Sequence, residues 1–230
     1  MKKFLGFLLV LVIIVAIAGQ YLLPKYIGMR IEDQLDESLH PSDQTVVVES
    51  MPAVKLLYGD VDAIRGNLEN VKLGALSFTG FHYELDNITV NPVTLIMNQK
   101  LDVLSVQKST MEGIVTKDDL TQYMEAQVKG LENTIVSMKD EKITVTGTIN
   151  VGGFLKGKAE ITGMLDLNKN VLYFEPQRFT LNGTTISGLN SSLLEPIAIY
   201  DFNEFPISVK ADSISVKDEA IRIKVTPIIE

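Results

Sequence analysis

At 230 residues the chain is long enough for one domain of ordinary size with an appendage, or for two small domains, and it reads as the former. Its net charge of −8, from 21 basic and 29 acidic residues, disfavours phosphate backbones and simple electrostatic adsorption to anionic lipid, so nucleic acid is set aside while hydrophobic capture of lipid stays open. The absence of cysteine removes disulfides, thiolate nucleophiles, thiolate zinc sites and lipid attachment through an N-terminal cysteine.

In chain order, Lys2 and Lys3 precede an apolar run from Phe4 to Ala18, followed by Gly19, Gln20, Tyr21, Leu22, Leu23 and the helix-breaking Pro24. Residues 1–25 therefore read either as a signal peptide, with Ala16-Ile17-Ala18 as an A-x-A cleavage site, or as an uncleaved membrane anchor. The stretch to Leu23 covers about 20 residues, enough for a hydrocarbon core of roughly 30 Å, with Tyr21 suited to the interface and Lys25 able to snorkel. The anchor is the favoured reading, and the uniform run argues against a buried core helix. The signal-peptide and anchor readings alike place the remainder outside the cytoplasm, because the positive charges come first.

Residues 26–44 read as an amphipathic spacer: Ile27, Ile31, Leu35 and Leu39 recur every four positions among acids, until Pro41. A short helix is predicted from Ser50 as cap, with Pro52 in its first turn, Val54, Leu57 and Tyr58 as its apolar face and Gly59 as its stop.

From Thr45 the period becomes two, over 45–49, 61–73, 76–90, 101–115, 134–139, 142–151, 158–167, 171–181, 207–216 and 220–225. Apolar parity changes across Gly80, from Leu76 and Phe78 to Phe81, Tyr83 and Leu85, which predicts a bulge or bend. Asp140-Glu141 and Asn168-Lys169-Asn170 predict tight antiparallel turns. Between the strands, Thr116-Lys117-Asp118-Asp119 has the spacing of a capping box, and Leu120, Tyr123, Met124 and Val128 form one helical stripe ahead of Gly130. A third helix is predicted over parts of 189–200, interrupted by Pro196.

No catalytic constellation emerges. His40 lies beside Pro41, His82 sits at the polar parity of a strand, and no G-x-S-x-G elbow accompanies them. Without cysteine, two distant histidines make no zinc site, and Asp60-Val61-Asp62 reads as solvated turn acids. The chain reads as no enzyme, with no metal and no cofactor.

Several segments together resemble the LmeA-like family of exported bacterial proteins: "PAVKLLYGDVDAIRGNLENVKLG", "YELDNITVNP", "GIVTKDDLTQYMEAQ", "ITVTGTINVGG" and "IYDFNEFPISVKADSISV". The resemblance runs from about Thr45 to Val225. It implies an extracytoplasmic phospholipid-binding protein of cell-envelope maintenance, with a fold similar to the tubular lipid-binding superfamily. It carries no catalytic residues.

The fold expected is therefore α+β: a long, strongly curved antiparallel sheet wrapped around two or three short helices, with residues 45–230 as the lipid-binding domain. The strands present more apolar surface than those helices cover. Leu57, Tyr123, Met124 and Val128 on helices, with Phe81, Tyr83, Ile143, Val145, Ile149, Leu165 and Phe179 on strands, are the candidate lining for acyl chains. About 15 buried methylenes would yield roughly 12 kcal/mol before ordering costs. The expected partners are a phospholipid or other acyl lipid and the membrane itself. The competing reading of the same residues is a non-catalytic envelope module with a dry core.

Overall fold

A computed structural model of the chain describes residues 2–98, 102–128, 130–151, 155–186 and 195–228. Helices and strands combine as α+β, with two antiparallel sheets among the described residues. One has the order β1-β2-β3-β4-β12-β11, the other β10-β8-β7-β6-β5, and the two-residue β9 (Thr184–Thr185) pairs with β8. Two compact units result, one holding Met1–Leu68 and His82–Thr110, the other Glu69–Phe81 and Met111–Ile228, so that β2 (Asp60–Leu73), β3 (Leu76–Val90) and β4 (Val103–Thr116) contribute to both.

The first unit is organised by α1, a helix of 38 residues over Lys2–Leu39. Pro24 does not break it, contrary to the expectation from sequence. Proline removes the N–H that would bond the Gln20 carbonyl, but one lost bond is outweighed when tertiary packing holds the next turns. That packing comes from the four-residue stripe. Ile27 and Ile31 are buried, with Leu23 and Leu35 beside them, against Val48, Leu56, Val61, Ile64, Ile88, Val90 and Leu95. One stripe of residues 26–39 thus packs on the unit's core, while the opposite face stays exposed.

After β1 (Asp43–Glu49) comes a 3-10 turn over Ala53–Tyr58. Its three-residue period turns Ala53 and Leu56 inward and leaves Val54, Leu57 and Tyr58 exposed, the reverse of the face expected for an α-helix. Nor does Ser50 cap it: Pro52 holds that position, while the Ser50 hydroxyl donates to the Asp60 carbonyl at 3.2 Å. A short helix unforeseen from sequence, α2, covers Pro92–Met97, with the Asn91 side chain accepting from Val93 N at 3.1 Å and Thr94 N at 3.3 Å. Asn-Pro at a helix start is a legible cap signal. On the outer strand face, Arg65 joins Glu49 at 2.7 Å, Glu84 at 2.8 Å and Asp86 at 3.4 Å.

In the second unit, α3 (Lys117–Gln127) starts with the expected capping box: Asp119 N donates to Thr116 Oγ1 at 3.3 Å, and Thr116 N to the Asp119 carboxylate at 2.8 Å. Leu120, Tyr123 and Met124 are its buried face. The helix closes on Val128 in extended conformation, ahead of Gly130. Strands β5 (Leu131–Lys139), β6 (Lys142–Val151), β7 (Leu155–Asn168) and β8 (Val171–Leu181) form a meander. Its turns at Asp140-Glu141 and Lys169-Asn170 have positive φ at both central residues, the geometry that matches strand twist.

Cross-strand register sets Val145 opposite Ile161, and Ile161 opposite Phe179, making one apolar face. The expected third helix is corrected in part: Ile197–Asp201 is a strand, β10, paired with β8, while 187–194 lie outside the described residues. β11 (Val209–Lys217) and β12 (Ala220–Pro227) complete the unit. Phe78 of β3 meets Tyr200 of β10 edge-on at 5.8 Å between centroids, Tyr200 meets Phe202 at 4.9 Å, and Phe81 stacks on Phe205 at 5.7 Å.

Candidate lipid-binding groove

β1 is the terminal strand of its sheet order, and α1 lies along it. Two polar clamps join them. Glu32 at one end accepts from Val46 N at 3.1 Å while its carbonyl takes the Gln44 side-chain amide at 3.0 Å. At the other, Gln20 donates to the Ser50 carbonyl at 3.0 Å and accepts from Ala53 N at 2.8 Å. The bond to Val46 N satisfies a backbone group of the edge strand, and the Gln20 bonds satisfy the Ser50 carbonyl and Ala53 amide just beyond it.

An open groove of about 670 Å³ lies beside this junction, within the first unit. Its helix wall is the stripe Gln20, Tyr21, Pro24, Lys25, Met29 and Glu32, next to the stripe that α1 buries; its other wall is the run from Val46 to Met51, with Asp62. The volume falls within the roughly 300–1,000 Å³ of small-molecule sites. Tyr21, Pro24, Met29, Val46, Val47, Val48 and Met51 give it apolar walls. Lys25 supplies a cation, and Asp62 is engaged by Lys55 at 2.5 Å and by Met51 N at 2.7 Å. The Lys55 bond, then the Met51 amide, hold the Asp62 carboxyl below the usual carboxylate range.

None of the eleven candidate lining residues borders this groove. In the first unit Leu57 faces solvent, and Tyr83 is half-buried over Gly66, its phenol pushed well up by burial and then by the Glu32 charge. In the second unit Phe81, Tyr123, Met124, Ile143, Val145, Ile149 and Phe179 are buried, and Val128 and Leu165 are half-buried. Ile143 has 0% of its surface exposed, Met124 and Phe179 1% each. Side chains bordering a void wide enough for a methylene chain would show surface to it, so this set is closely packed. The Tyr123 hydroxyl donates to the Ala198 carbonyl at 2.5 Å. The sequence hides this groove because Pro24 signals a helix end; a helix continued through it presents 21, 25, 29 and 32 as a second face.

A second cavity, of about 450 Å³, lies in the second unit among Leu167, Lys169, Asn170, Asn203, Val209, Lys210, Ala211 and Ile228. Asn170 spans it, donating to the Val209 carbonyl at 2.9 Å and accepting from Ala211 N at 2.8 Å. His82 is exposed and hydrogen-bonded to Asn67.

Fold and groove define a class: an α+β protein with two antiparallel sheets and a helix long and apolar enough, by length and composition, to cross a bilayer. The chain belongs to the LmeA-like phospholipid-binding family, whose model matches residues 18–226. No curated protein and no solved structure matches it. Family membership makes it a lipid-binding protein in kind.

Proposed function

We propose that this is an extracytoplasmic lipid-binding protein that holds an acyl chain of a phospholipid, or of a lipid-linked envelope precursor, for carriage or envelope maintenance. The apolar residues before Gln20 tether it to the outer face of the cytoplasmic membrane, and the continuing helix over 20–32, with 46–51 and Asp62 of the following domain, does the binding without catalysis. The observation that carries the reading is the apolar groove beside α1, adjoining the part of the helix that would leave the membrane. Laying about eight methylenes along it yields roughly 6 kcal/mol, comparable with what the same segment has in a bilayer, so the lipid exchanges instead of being trapped. Lys25 is the one basic side chain in a lining that also holds Glu32, Glu49 and Asp62, and it supplies a cation for a headgroup phosphate. The tether raises the effective concentration of the groove at the leaflet.

A photoactivatable phospholipid tests this in the full chain reconstituted in vesicles. Saturable labelling of Asp43–Glu49, competed by unlabelled phospholipid, is expected. The Val47→Asp variant, which places a charge on the apolar wall, should lower that labelling about tenfold, equivalent to about 1.4 kcal/mol. Labelling confined to the apolar part of α1, or unchanged by competitor, overturns the groove.

The packed interior of the second unit favours another reading, a non-catalytic envelope module with a dry core. It predicts no competable labelling outside α1 and a melting temperature indifferent to added lipid.

A further inference from the structure

We propose that the 3-10 turn and α2 form a second membrane contact, an apolar foot that dips into the lipid surface next to α1. Met51, Val54, Leu57 and Tyr58 on or just before the turn, with Val93 and Met97 on α2, are between 45 and 78% exposed. The two elements are neighbours: Val90 N donates to the Gly59 carbonyl at 2.8 Å, and Gly59 lies against Pro92, the first residue of α2. Each buries its other face, through Ala53 and Leu56 in the turn and Leu95 in α2. Exposed apolar side chains so grouped mark an interaction site.

Charge and position say what covers this surface. Across 51–58 and 92–97 the sole ionic side chain is Lys55, already paired with Asp62. A partner protein with a charged rim finds nothing to pair with here, whereas lipid requires no pairing. The Gln20 clamp to Ser50 and Ala53 then fixes the height of the turn along α1. A span of about 20 residues starting near Phe4 ends at Leu23, so Gln20 lies within about one helical turn of the hydrocarbon boundary. The foot therefore sits at the level where Tyr21 and Leu22, both exposed on α1, leave the bilayer. Tyr58 adds an interfacial aromatic beside them. The foot would steady the groove at the leaflet, since a single span leaves helix and attached unit free to tilt together.

The inference rests on α1 being a membrane helix, so the test must separate the two. The chain has no tryptophan, which makes each introduced one a unique reporter. Four single variants of the full chain, Val12→Trp, Leu57→Trp, Met97→Trp and Glu37→Trp, are reconstituted in phosphatidylcholine vesicles with and without brominated acyl chains. Residue 37 lies about 25 Å along the helix from Gln20 and serves as the distant control. Reporters at 57 and 97, at a depth of about 5–10 Å, should lose about half of their emission to brominated lipid and shift to the blue, while 37 keeps both. Quenching at 12 without quenching at 57 and 97 overturns the foot and leaves the membrane helix standing. Equal quenching at 37 overturns it as well, and no quenching even at 12 removes the membrane helix and the foot together.

Discussion

Gly59 has φ +89°, and a β-carbon there would lie 2.2 Å from the Val90 carbonyl oxygen. Both strain and collision fall on backbone, which cannot rotate away, so Gly59→Ala should cost about 2–4 kcal/mol in urea unfolding. Tyr83 presents the opposite case. Its hydroxyl is buried with no hydrogen-bond partner among the described residues, and its ring end occupies the space over Gly66 where a β-carbon would stand 2.3 Å away. Removing that oxygen relieves desolvation without breaking a bond. Tyr83→Phe should leave stability unchanged or raise it by about 1 kcal/mol, while a marked loss would mean that the hydroxyl has a partner such as a bound water. Neither effect is visible in composition or periodicity, since both depend on what a neighbouring strand or turn brings close.

At the scale of elements, local signals succeeded where the chemistry is local. The capping box at Thr116 formed as read, and Thr116→Ala should cost about 1 kcal/mol, with Thr116→Ser recovering most of it, by thermal or urea unfolding. The hairpin turns at Asp140-Glu141 and Lys169-Asn170 also formed as read, and the parity change across Gly80 is present in the burial of Phe78 and Phe81. A second parity change follows at Asn87, where φ is +50°. Signals that depend on competition between elements failed. Pro24 ends a helix in isolation but not one whose next two turns are bound by Ile27 and Ile31. After Ser50 the sequence suggests an α-helix with a period of 3.6, whereas the 3-10 period of three buries Ala53 and Leu56 and exposes Leu57.

For the molecule as a whole, stability should depend on pH at both ends. The Asp62 carboxyl is held below its ordinary value of 3.8, by Lys55 first and the Met51 amide second, so its contribution is fully present above 3.8 and is lost as pH falls through the depressed value. Asp62→Asn should be less stable than the parent by a constant amount above about pH 5, with the gap closing in more acid solution, as read by unfolding at each pH. Tyr200 is pushed up to about 12, by burial and then by Glu204 and Asp201, so its contribution is present below the ordinary phenol value of 10.0 and fades as pH rises toward 12. The sequence by itself determined the class of fold, the apolar helix and most strand positions, because alternation, caps and turn residues act over a few neighbours; the family is legible through the likeness of whole segments. Only the tertiary structure decided which apolar side chains are spent on the interior and which stay exposed. Ile143 and Leu57 look alike in a periodicity plot, yet one is sealed within its unit and the other open to solvent. What separates them is the element packed opposite, and no window along the chain contains it.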